Sequence, residues 1–334
     1  MTFAFYFKFI ISAFLSALLS TGLLANQKIT DPGKPLASLK HFKDGIEIYI
    51  GGEFFARYNF KILSQPIIWP VVAPGGIPML RDWPIKKDTE GEAKDHPHHR
   101  AIFIGHQSLN GINYWHNQYK NSGVIKHLKI INEQSGKEEA LIKTLNVWTD
   151  ITGIKIGQDV RTLRFGGDQT ARYLDLELEM RATNQDLVFE EFKDGFVGIR
   201  THSDLRLTPN LKQGVNEVFG RALNSEGVKG KSIWGKRADW VHYFGKVDGK
   251  QAGIAFLSHP SNLRKKGMKS WWHARDYGLI SANPFAPVKL GGNGKYVIKK
   301  GKALSLHYRM IFHRGSHKQA KIADRFASFA KIKS

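Results

Sequence analysis

The 334-residue sequence contains no cysteine. Without a thiol the chain can form no disulfide, no thiolate metal site and no cysteine nucleophile, and it cannot carry a lipid on a cysteine. A chain of roughly 300 residues buries enough apolar surface to be stable without disulfides, even in an oxidising compartment. The lack of cysteine is therefore compatible with export.

Long apolar runs are also scarce, with one exception at the N-terminus. After Lys8, residues 9–25 are apolar apart from Ser, Thr and Gly, and they end in a small residue before Asn26. Such a segment is typical of a secretory signal peptide, whereas a membrane anchor, the alternative, needs about 20 apolar residues and usually a charged stop. We predict a signal peptide over residues 1–25, cleavage near Ala25, and a periplasmic or secreted mature protein without a membrane span.

Acidic residues are few relative to basic ones. The chain has 29 Asp and Glu against 50 Lys and Arg, which gives a formal net charge of +21. A field of this sign attracts polyanions. Because an exported protein rarely meets nucleic acid, the charge favours an anionic polysaccharide or anionic lipid headgroups as a partner and disfavours nucleic acid. A basic surface without a dedicated partner is the alternative.

Alternation of apolar and polar residues dominates the rest of the chain. Residues 173–180 alternate Leu or Met with Asp or Glu, residues 304–312 repeat the pattern, and residues 141–148 follow it less regularly. A period of two indicates half-buried strands. The pairs Gly51-Gly52 and Asp248-Gly249 separate further apolar runs in the way that hairpin turns do.

These patterns predict an all-β protein. We find neither an internal repeat nor a Pro-, Gly- or Ser-rich linker that would divide two cores. We therefore predict one large antiparallel β-sandwich over residues 26–315, with the extended supersandwich of sugar mutarotases as one form that it can take. The stretch 316–331 has helical periodicity and begins at Ser316, a suitable N-cap, so it predicts a C-terminal amphipathic helix packed on the sheet.

Histidine is concentrated in one segment, since five of the fourteen histidines fall within 21 residues. If a strand runs through this segment, His98, Arg100 and His106 share one face and His99 points to the other, so we expect three histidines not to converge locally. The spacing matches no specific metal motif, and we expect no cofactor. A divalent metal held by His96, His98 and His106 is the alternative.

A second polar cluster occupies residues 271–278 and leads into Asn283. Two tryptophans stand there beside His, Arg, Asp and Tyr. Aromatic faces cover the C–H face of a pyranose, and neighbouring polar groups satisfy its hydroxyls. The cluster therefore predicts a saccharide site, with a buried corner of the core as the alternative.

Several motifs, taken together and in order, resemble the bacterial family labelled PmoA-like, also described as a domain of unknown function (DUF6807). The likeness spans roughly residues 45–314. The motifs are Arg81-Asp-Trp-Pro84, Asp95-His-Pro-His-His-Arg100, Gly105-His106, Asn110-Gly-Ile-Asn-Tyr-Trp115, Trp234-Gly-Lys-Arg-Ala-Asp-Trp240, His259-Pro-Ser-Asn262, Trp272-His-Ala-Arg-Asp-Tyr-Gly278 and Asn283-Pro-Phe285. The PmoA-like label names the family after a methane oxygenase, a membrane protein with several spans, which this chain does not resemble. The likeness implies an association with the saccharide-degrading proteins of environmental bacteria.

We therefore predict an exported enzyme that cleaves a saccharide by hydrolysis or elimination, with an acidic sugar as the favoured substrate. The predicted acid/base residues are His98, His273 and Asp276. The predicted substrate contacts are Arg100, His106, Arg200, His202, Trp234, Asp239, His259, Trp272, Arg275, Tyr277 and Asn283. A non-catalytic saccharide-binding envelope protein and a histidine-ligated, metal-dependent oxidoreductase are the alternatives. The sequence predicts no oligomeric state.

Overall fold

The computed structural model describes residues 36–61, 64–209, 211, 217–263 and 267–333. They all fall within one compact unit, Lys34–Ser334. The predicted signal peptide lies outside the described residues. Within them, no helix is long and apolar enough to cross a membrane.

The described residues form twenty strands and one α-helix. The first ten strands are β1 (Ala37–Phe42), β2 (Gly45–Ile50), β3 (Glu53–Asn59), β4 (Ile67–Ala73), β5 (Ile77–Pro78), β6 (Ile102–His106), β7 (Val124–Gln134), β8 (Glu139–Thr149), β9 (Lys155–Gly167) and β10 (Ala171–Arg181). The remaining strands are β11 (Leu187–Phe189), β12 (Gly195–Arg200), β13 (Arg221–Asn224), β14 (Arg237–Ala238), β15 (Trp240–Val247), β16 (Lys250–Ser258), β17 (Ser270–Arg275), β18 (Leu279–Ala282), β19 (Tyr296–Ile298) and β20 (Ala303–Arg314). The helix is α1 (Ile322–Phe329), and short 3-10 helices occur at Ser203–Leu205, Gly230–Ile233 and Val288–Leu290.

Two large antiparallel sheets make up the sandwich. The ten-stranded sheet has the order β1-β2-β3-β4-β6-β12-β18-β17-β14, with β5 paired to β4. The eight-stranded sheet has the order β13-β15-β16-β20-β10-β9-β8-β7, and β11 pairs with β19 in a small separate sheet. Side chains from both large sheets form one continuous apolar core. The predicted all-β sandwich is confirmed.

The strands predicted from alternation appear where the sequence indicated them. In β10, Leu174, Leu176, Leu178 and Met180 are buried in the core, while the acidic residues between them are not fully buried. β20 and β8 cover the other two predicted stretches. Apolar and polar residues alternate along these strands because each strand has one face on the core and one face toward solvent.

Both predicted hairpins are also present. Gly51 and Gly52 join β2 to β3 with φ angles of 59° and 76°, and Asp248 and Gly249 join β15 to β16 with φ angles of 48° and 76°. Two consecutive positive φ angles define the tight turn whose twist matches that of the paired strands. Gly and Asp tolerate this conformation, which explains why these pairs were informative in the sequence.

The C-terminal helix is shorter than predicted. It begins at Ile322 because Lys321 has a left-handed φ of 46°, and residues 317–321 form turns. Ser316 caps the preceding turn, where its amide and hydroxyl both donate to the Gln319 side chain at 2.9 Å. Ile322 and Phe329 of this helix are buried against residues of the eight-stranded sheet.

A second apolar cluster lies on the other side of the ten-stranded sheet. Phe103 alternates along β6 with two core residues, so it points away from the core and packs with Trp115 and Leu279. β17 alternates in the same way, which places His273 and Arg275 on this side too. We call this side the outer face of the ten-stranded sheet. It carries the candidate site.

Candidate functional site

Four histidine rings meet on the outer face. Three of them, His96, His98 and His99, precede β6 and lie in a turn where the amide of His99 donates to the carbonyl of His96 (2.9 Å), whereas His116 follows β6 in the chain. The ring centroids of His98 and His99 are 4.3 Å apart, and the ring of His116 is 4.5 Å from that of His98. The predicted strand is present only from Ile102 onward, and the expectation that the rings do not converge is wrong, because a turn at His96–His99 replaces the alternation of a strand there.

His96 is the most exposed of the four, with a side chain 37% exposed. Its φ angle of 42° is unusual for a residue with a β-carbon, and such positions are held in place by their surroundings, often at functional sites. Its ring stacks on Tyr277 at a centroid distance of 4.5 Å and on His99 at 4.9 Å. The histidine turn is thereby joined to the segment after β17.

Asp95 anchors this turn from below. Its Oδ1 accepts a hydrogen bond from Arg81 Nη1 (2.6 Å) and another from Arg200 Nη2 (2.7 Å), and both arginine side chains are 1% exposed. Burial alone would raise the pKa of Asp95, but the hydrogen bond with His96 and the charges of Arg200 and Arg81 outweigh it and hold that pKa well below its usual range. Arg81 also donates to the main-chain carbonyls of residues 93, 95, 96 and 99, which fixes the turn.

Asp194 lies between two imidazoles. Its Oδ2 is 3.7 Å from Nε2 of His116, and its Oδ1 is 3.5 Å from Nδ1 of His273. Lys193 Nζ donates to the same carboxylate at 2.9 Å. Asn283 holds this loop by donating to the carbonyls of residues 192 and 193, so the predicted substrate contact Asn283 positions Asp194 from behind. Such distances shorten in many enzymes when substrate binds.

The hydrogen-bond network assigns the tautomer of His116. The Oδ1 of Asn113 accepts from the amides of Trp115 (3.0 Å) and His116 (2.9 Å), so its amide nitrogen must face Nδ1 of His116, 3.3 Å away. Nδ1 of His116 therefore accepts a hydrogen bond from the Asn113 amide. In the neutral ring the proton sits on Nε2, which faces Asp194.

Burial keeps the innermost imidazoles neutral. It lowers the pKa of both His98 and His273 to about 3, and it also lowers the pKa of His116, against which the charge of Asp194 acts. All three rings are thus uncharged at neutral pH. Each of these neutral rings therefore offers one N–H donor and one acceptor nitrogen, and the donor of His116 is Nε2–H.

A cavity of 280 Å³ lies at the end of β17, where Arg275 is on the outer face. Trp234, Arg275, Asp276 and Lys231 line it. The guanidinium carbon of Arg275 lies 6.0 Å from the ring centre of Trp234 and 5.3 Å from that of Tyr277, the residue that stacks on the histidine turn. The cavity and the histidines are therefore neighbours through a chain of ring contacts.

The structure brings together about half of the predicted site residues. They lie in the histidine cluster or around the cavity, on the outer face. This group contains His96, His98, His273, Trp234, Arg275, Asp276 and Tyr277.

Three predicted residues lie beneath the site or on its core side. Arg200 donates a hydrogen bond to the carboxylate of Asp95 beneath the histidine turn. Trp272 points into the core, where its Nε1 donates to the carbonyl of Ala238 (2.9 Å). His106 is buried among phenylalanine rings, with Nε2 2.7 Å from the carbonyl of Glu190. Each fills a structural role at its observed position.

Four further predicted residues have local partners elsewhere. Arg100 donates to the hydroxyl of Ser64 (2.9 Å), and His202 accepts from the amide at the start of a 3-10 helix. Asp239 pairs with a lysine at 3.0 Å, and His259 lies 2.7 Å from a serine hydroxyl. These contacts account for each side chain without a ligand.

His116, Asp194 and Lys231 were not predicted as site residues. His116 belongs to the histidine-rich segment, and Asp194 belongs to an acidic stretch before β12, but neither has a local signal that separates it from its neighbours. Only the pairing of β12 with β6 and β18 brings Asp194 to the outer face.

The proposed metal ligands do not form a set. Over the described ranges, no three His, Asp or Glu side chains are grouped in a way that could hold a metal ion. His106 has the core-side contacts given above, while His96 stacks on Tyr277 at the outer face. The metal alternative therefore has no donor set in this part of the chain.

The buried histidines predict marked acid sensitivity. Burial lowers the pKa of His98 and His273 to about 3 and that of His106 and His313 to about 4, whereas an unfolded histidine titrates near 6.5. Below about pH 6.5 the unfolded chain binds protons that the native state does not, so stability is lost as the pH falls, by about 2 kcal/mol per histidine at about pH 5. We expect unfolding in mild acid, because ordinary stabilities are only about 5–15 kcal/mol.

Urea denaturation followed by tryptophan fluorescence at a series of pH values measures this loss. His98→Gln should reduce the pH dependence, and His41→Gln should not, because the side chain of His41 is 52% exposed. A urea midpoint that stays constant between neutral pH and about pH 5 contradicts the prediction.

The fold and the site define a class: an all-β sandwich protein with a histidine-rich polar site on the outer face of one sheet. Residues 45–327 match the model of a family of unknown function (DUF6807), and the chain belongs to this family. No named relative supports the PmoA-like label. No curated protein matches the sequence.

Among solved structures, the chain is similar to carbohydrate-active proteins. A galactose mutarotase-like protein from Clostridium acetobutylicum has 9% identity and a TM-score of 0.43, over 84% of this chain and 99% of that one. A galactose mutarotase related enzyme from Lactobacillus acidophilus has 10% identity and a TM-score of 0.36, over 84% and 98%. A glycoside hydrolase family 97 enzyme from Pseudoalteromonas sp. strain K8 has 8% identity and a TM-score of 0.37, and the match covers 84% of this chain but only 34% of that enzyme. These scores are too low to support an inference about activity.

Proposed function

We propose that this protein is an exported enzyme that performs histidine acid/base chemistry on an acidic saccharide, with elimination as the favoured reaction. The observation that carries the proposal is the convergence of His98, His116, Asp194 and His273 beside the cavity of Arg275. Export rests on the N-terminal sequence alone.

The cavity has the composition of a saccharide site. Trp234 offers an aromatic face, and Arg275 and Asp276 offer groups that hydrogen-bond hydroxyls. Its volume of 280 Å³ is near the lower end of small-molecule sites, about 300–1,000 Å³, which suits one sugar ring.

The charge around the cavity favours an acidic sugar. Arg275 and Lys231 line it, and Lys193 lies beside Asp194. The acidic group on the lining, Asp276, accepts a hydrogen bond from the hydroxyl of Thr208 at 3.2 Å. A planar guanidinium held over aromatic rings is well suited to bind a carboxylate or sulfate.

The carboxylates favour elimination over hydrolysis. Most glycoside hydrolases place two carboxyl groups on either side of the bond that they cleave. Here Asp95 is locked between Arg81 and Arg200, and Asp276 on the cavity lining accepts from the hydroxyl of Thr208. Asp194 is the carboxylate that faces the imidazoles. Neutral imidazoles suit the abstraction of a carbon-bound proton better than they replace a carboxylate nucleophile.

The elimination would use two histidines in different roles. Arg275 pairs with the uronate carboxylate and acidifies the proton on the adjacent carbon, C5. His98 takes that proton, and the C5–H electrons form the C4–C5 double bond as the C4–O bond breaks. The leaving oxygen takes a proton from the charged form of His116, which the carboxylate of Asp194 and the bound uronate favour, and His116 ends neutral. The negative charge of the bound substrate raises the pKa of His98 and makes it a stronger base than in the empty site.

A non-catalytic saccharide-binding protein is the second candidate. The observation that favours it is burial: His98 is 7% exposed and His273 is 2% exposed, so little of either ring is accessible. In that case the cavity binds the sugar, and the histidines only support its wall.

Incubation of the mature protein with uronate oligosaccharides and with neutral oligosaccharides of equal length tests the proposal. We expect unsaturated uronate products, measured by ultraviolet absorbance, and no new reducing ends from the neutral chains. His98→Gln should abolish the product, while the exposed-histidine variant His41→Gln should retain it. Binding in calorimetry without product from any substrate would support the second candidate instead.

A further inference from the structure

A second and larger cavity lies next to the first. Its volume is 540 Å³, against 280 Å³ for the cavity of Trp234 and Arg275. Strands β13 and β15 and the 3-10 helix Gly230–Ile233 contribute to its walls. We call it the distal cavity.

Two contacts connect the distal cavity with the first. Lys231 lines both cavities. Thr208 lines the distal cavity, and its hydroxyl donates to Oδ2 of Asp276, which lines the first cavity (3.2 Å). A ligand that extends out of the first cavity past Lys231 therefore enters the distal one.

The lining of the distal cavity combines positive charge with apolar surface. Arg221, Lys229 and Lys231 contribute three cationic groups, and the described lining includes no Asp or Glu. Leu207 and the ring of Phe244 contribute apolar surface. This combination matches a sugar chain that carries an anionic group on its rings, since the rings have apolar C–H faces and the groups pair with cations.

We propose that the distal cavity binds the next residues of an anionic saccharide chain whose reacting residue occupies the first cavity. The substrate is then an oligosaccharide or polysaccharide rather than a single acidic sugar. The distal cavity has about twice the volume of the first, which corresponds to about two further sugar rings. This inference rests on the proposed function of the first cavity.

Binding of galacturonate chains of increasing length tests the inference. Calorimetry with the mature protein should show affinity that rises by about tenfold from the monosaccharide to the tetrasaccharide, because contacts in the second cavity add to those in the first within one ligand. Neutral malto-oligosaccharides of the same lengths should show a much smaller rise. The gain should weaken as salt is added, since the cations are exposed. Sulfated oligosaccharides of matched length distinguish sulfate from carboxylate recognition.

A double variant separates the two cavities. Arg221→Ala with Lys229→Ala should reduce the tenfold gain to less than about threefold and leave the affinity for the monosaccharide unchanged. The matched control is Lys126→Ala with Lys129→Ala, which removes the same charge from exposed positions of β7 at the opposite edge of the eight-stranded sheet. This control should keep the gain.

The outcomes distinguish the inference from the proposed function. Equal affinity for all chain lengths, with monosaccharide binding that Trp234→Ala abolishes, would contradict the proposed role of the distal cavity. The proposed role of the first cavity would stand. Failure of every saccharide to bind would overturn both. Loss of binding to phosphatidylglycerol vesicles in the Arg221 and Lys229 double variant, without any chain-length effect, would assign the cations to lipid headgroups and also reject the inference.

Discussion

Replacement of Asp95 by alanine is expected to lower the free energy of unfolding by about 3–5 kcal/mol, the cost of removing one partner from a buried ion pair. Two guanidinium groups, of Arg81 and Arg200, depend on this carboxylate, and both are 1% exposed. Without it, two buried positive charges face each other uncompensated. Burial and the charge of Arg200 already lower the pKa of Arg81 to about 9, which shows how poorly this position tolerates charge.

Urea denaturation of Asp95→Ala beside Glu139→Ala measures the effect. Glu139 forms an ion pair with Arg164 at 2.8 Å in which both side chains are more than one third exposed, so its loss should cost at most about 1 kcal/mol. If the two variants lose equal stability, the Arg81–Asp95–Arg200 group does not anchor the histidine turn. Asp95→Asn should fall between them, because the amide keeps one acceptor but no charge.

The fold was predictable from local patterns because its strands are amphipathic. β10 and β20 lie in the middle of a sheet with one face on the core, so apolar residues recur at every second position and are visible in the sequence. The hairpin at Gly51 and Gly52 was visible for a similar reason, since few residues accept its φ angles. The start of α1 was not, because a left-handed Lys321 interrupts a continuous helical pattern.

The candidate site was only half predictable. His273 and Arg275 are two residues apart on β17, so their shared face follows from strand geometry. Pro97 favours an extended conformation for His96, yet the hydrogen bonds of Arg81 hold His96 in the left-handed region. Tertiary contacts of a buried arginine thus overrode a local preference.

The meeting of the two clusters depends on strand order. The histidine turn precedes β6, Asp194 precedes β12, and His273 belongs to β17. These three strands are close to one another because the sheet order is β6-β12-β18-β17. No local pattern contains that order. Asp194 therefore looks in the sequence like any other acidic residue before a strand.

Replacement of Asp194 by asparagine is expected to reduce the rate of product formation from uronate oligosaccharides by about 10²–10⁴-fold, the range for loss of acid/base catalysis. The carboxylate lies 3.7 Å from Nε2 of His116, where it orients the ring and favours its charged form. Asparagine is almost the same size but removes the negative charge. The fold should persist, since Asn283 holds the loop through main-chain carbonyls and not through the Asp194 side chain.

A structural role and a catalytic role of Asp194 predict different pH behaviour. Because the charge of Asp194 raises the pKa of His116, its removal should move the titration of this imidazole, followed by NMR, to lower pH. Asp44→Asn is the matched control. Asp44 lies between β1 and β2, at the edge of the ten-stranded sheet far from β17, and pairs with Arg57. Its replacement should change neither the rate nor the titration. An unchanged rate in Asp194→Asn, with the His116 titration shifted as expected, would show that the carboxylate tunes this histidine without taking part in the reaction. The elimination would then need a different proton donor than His116.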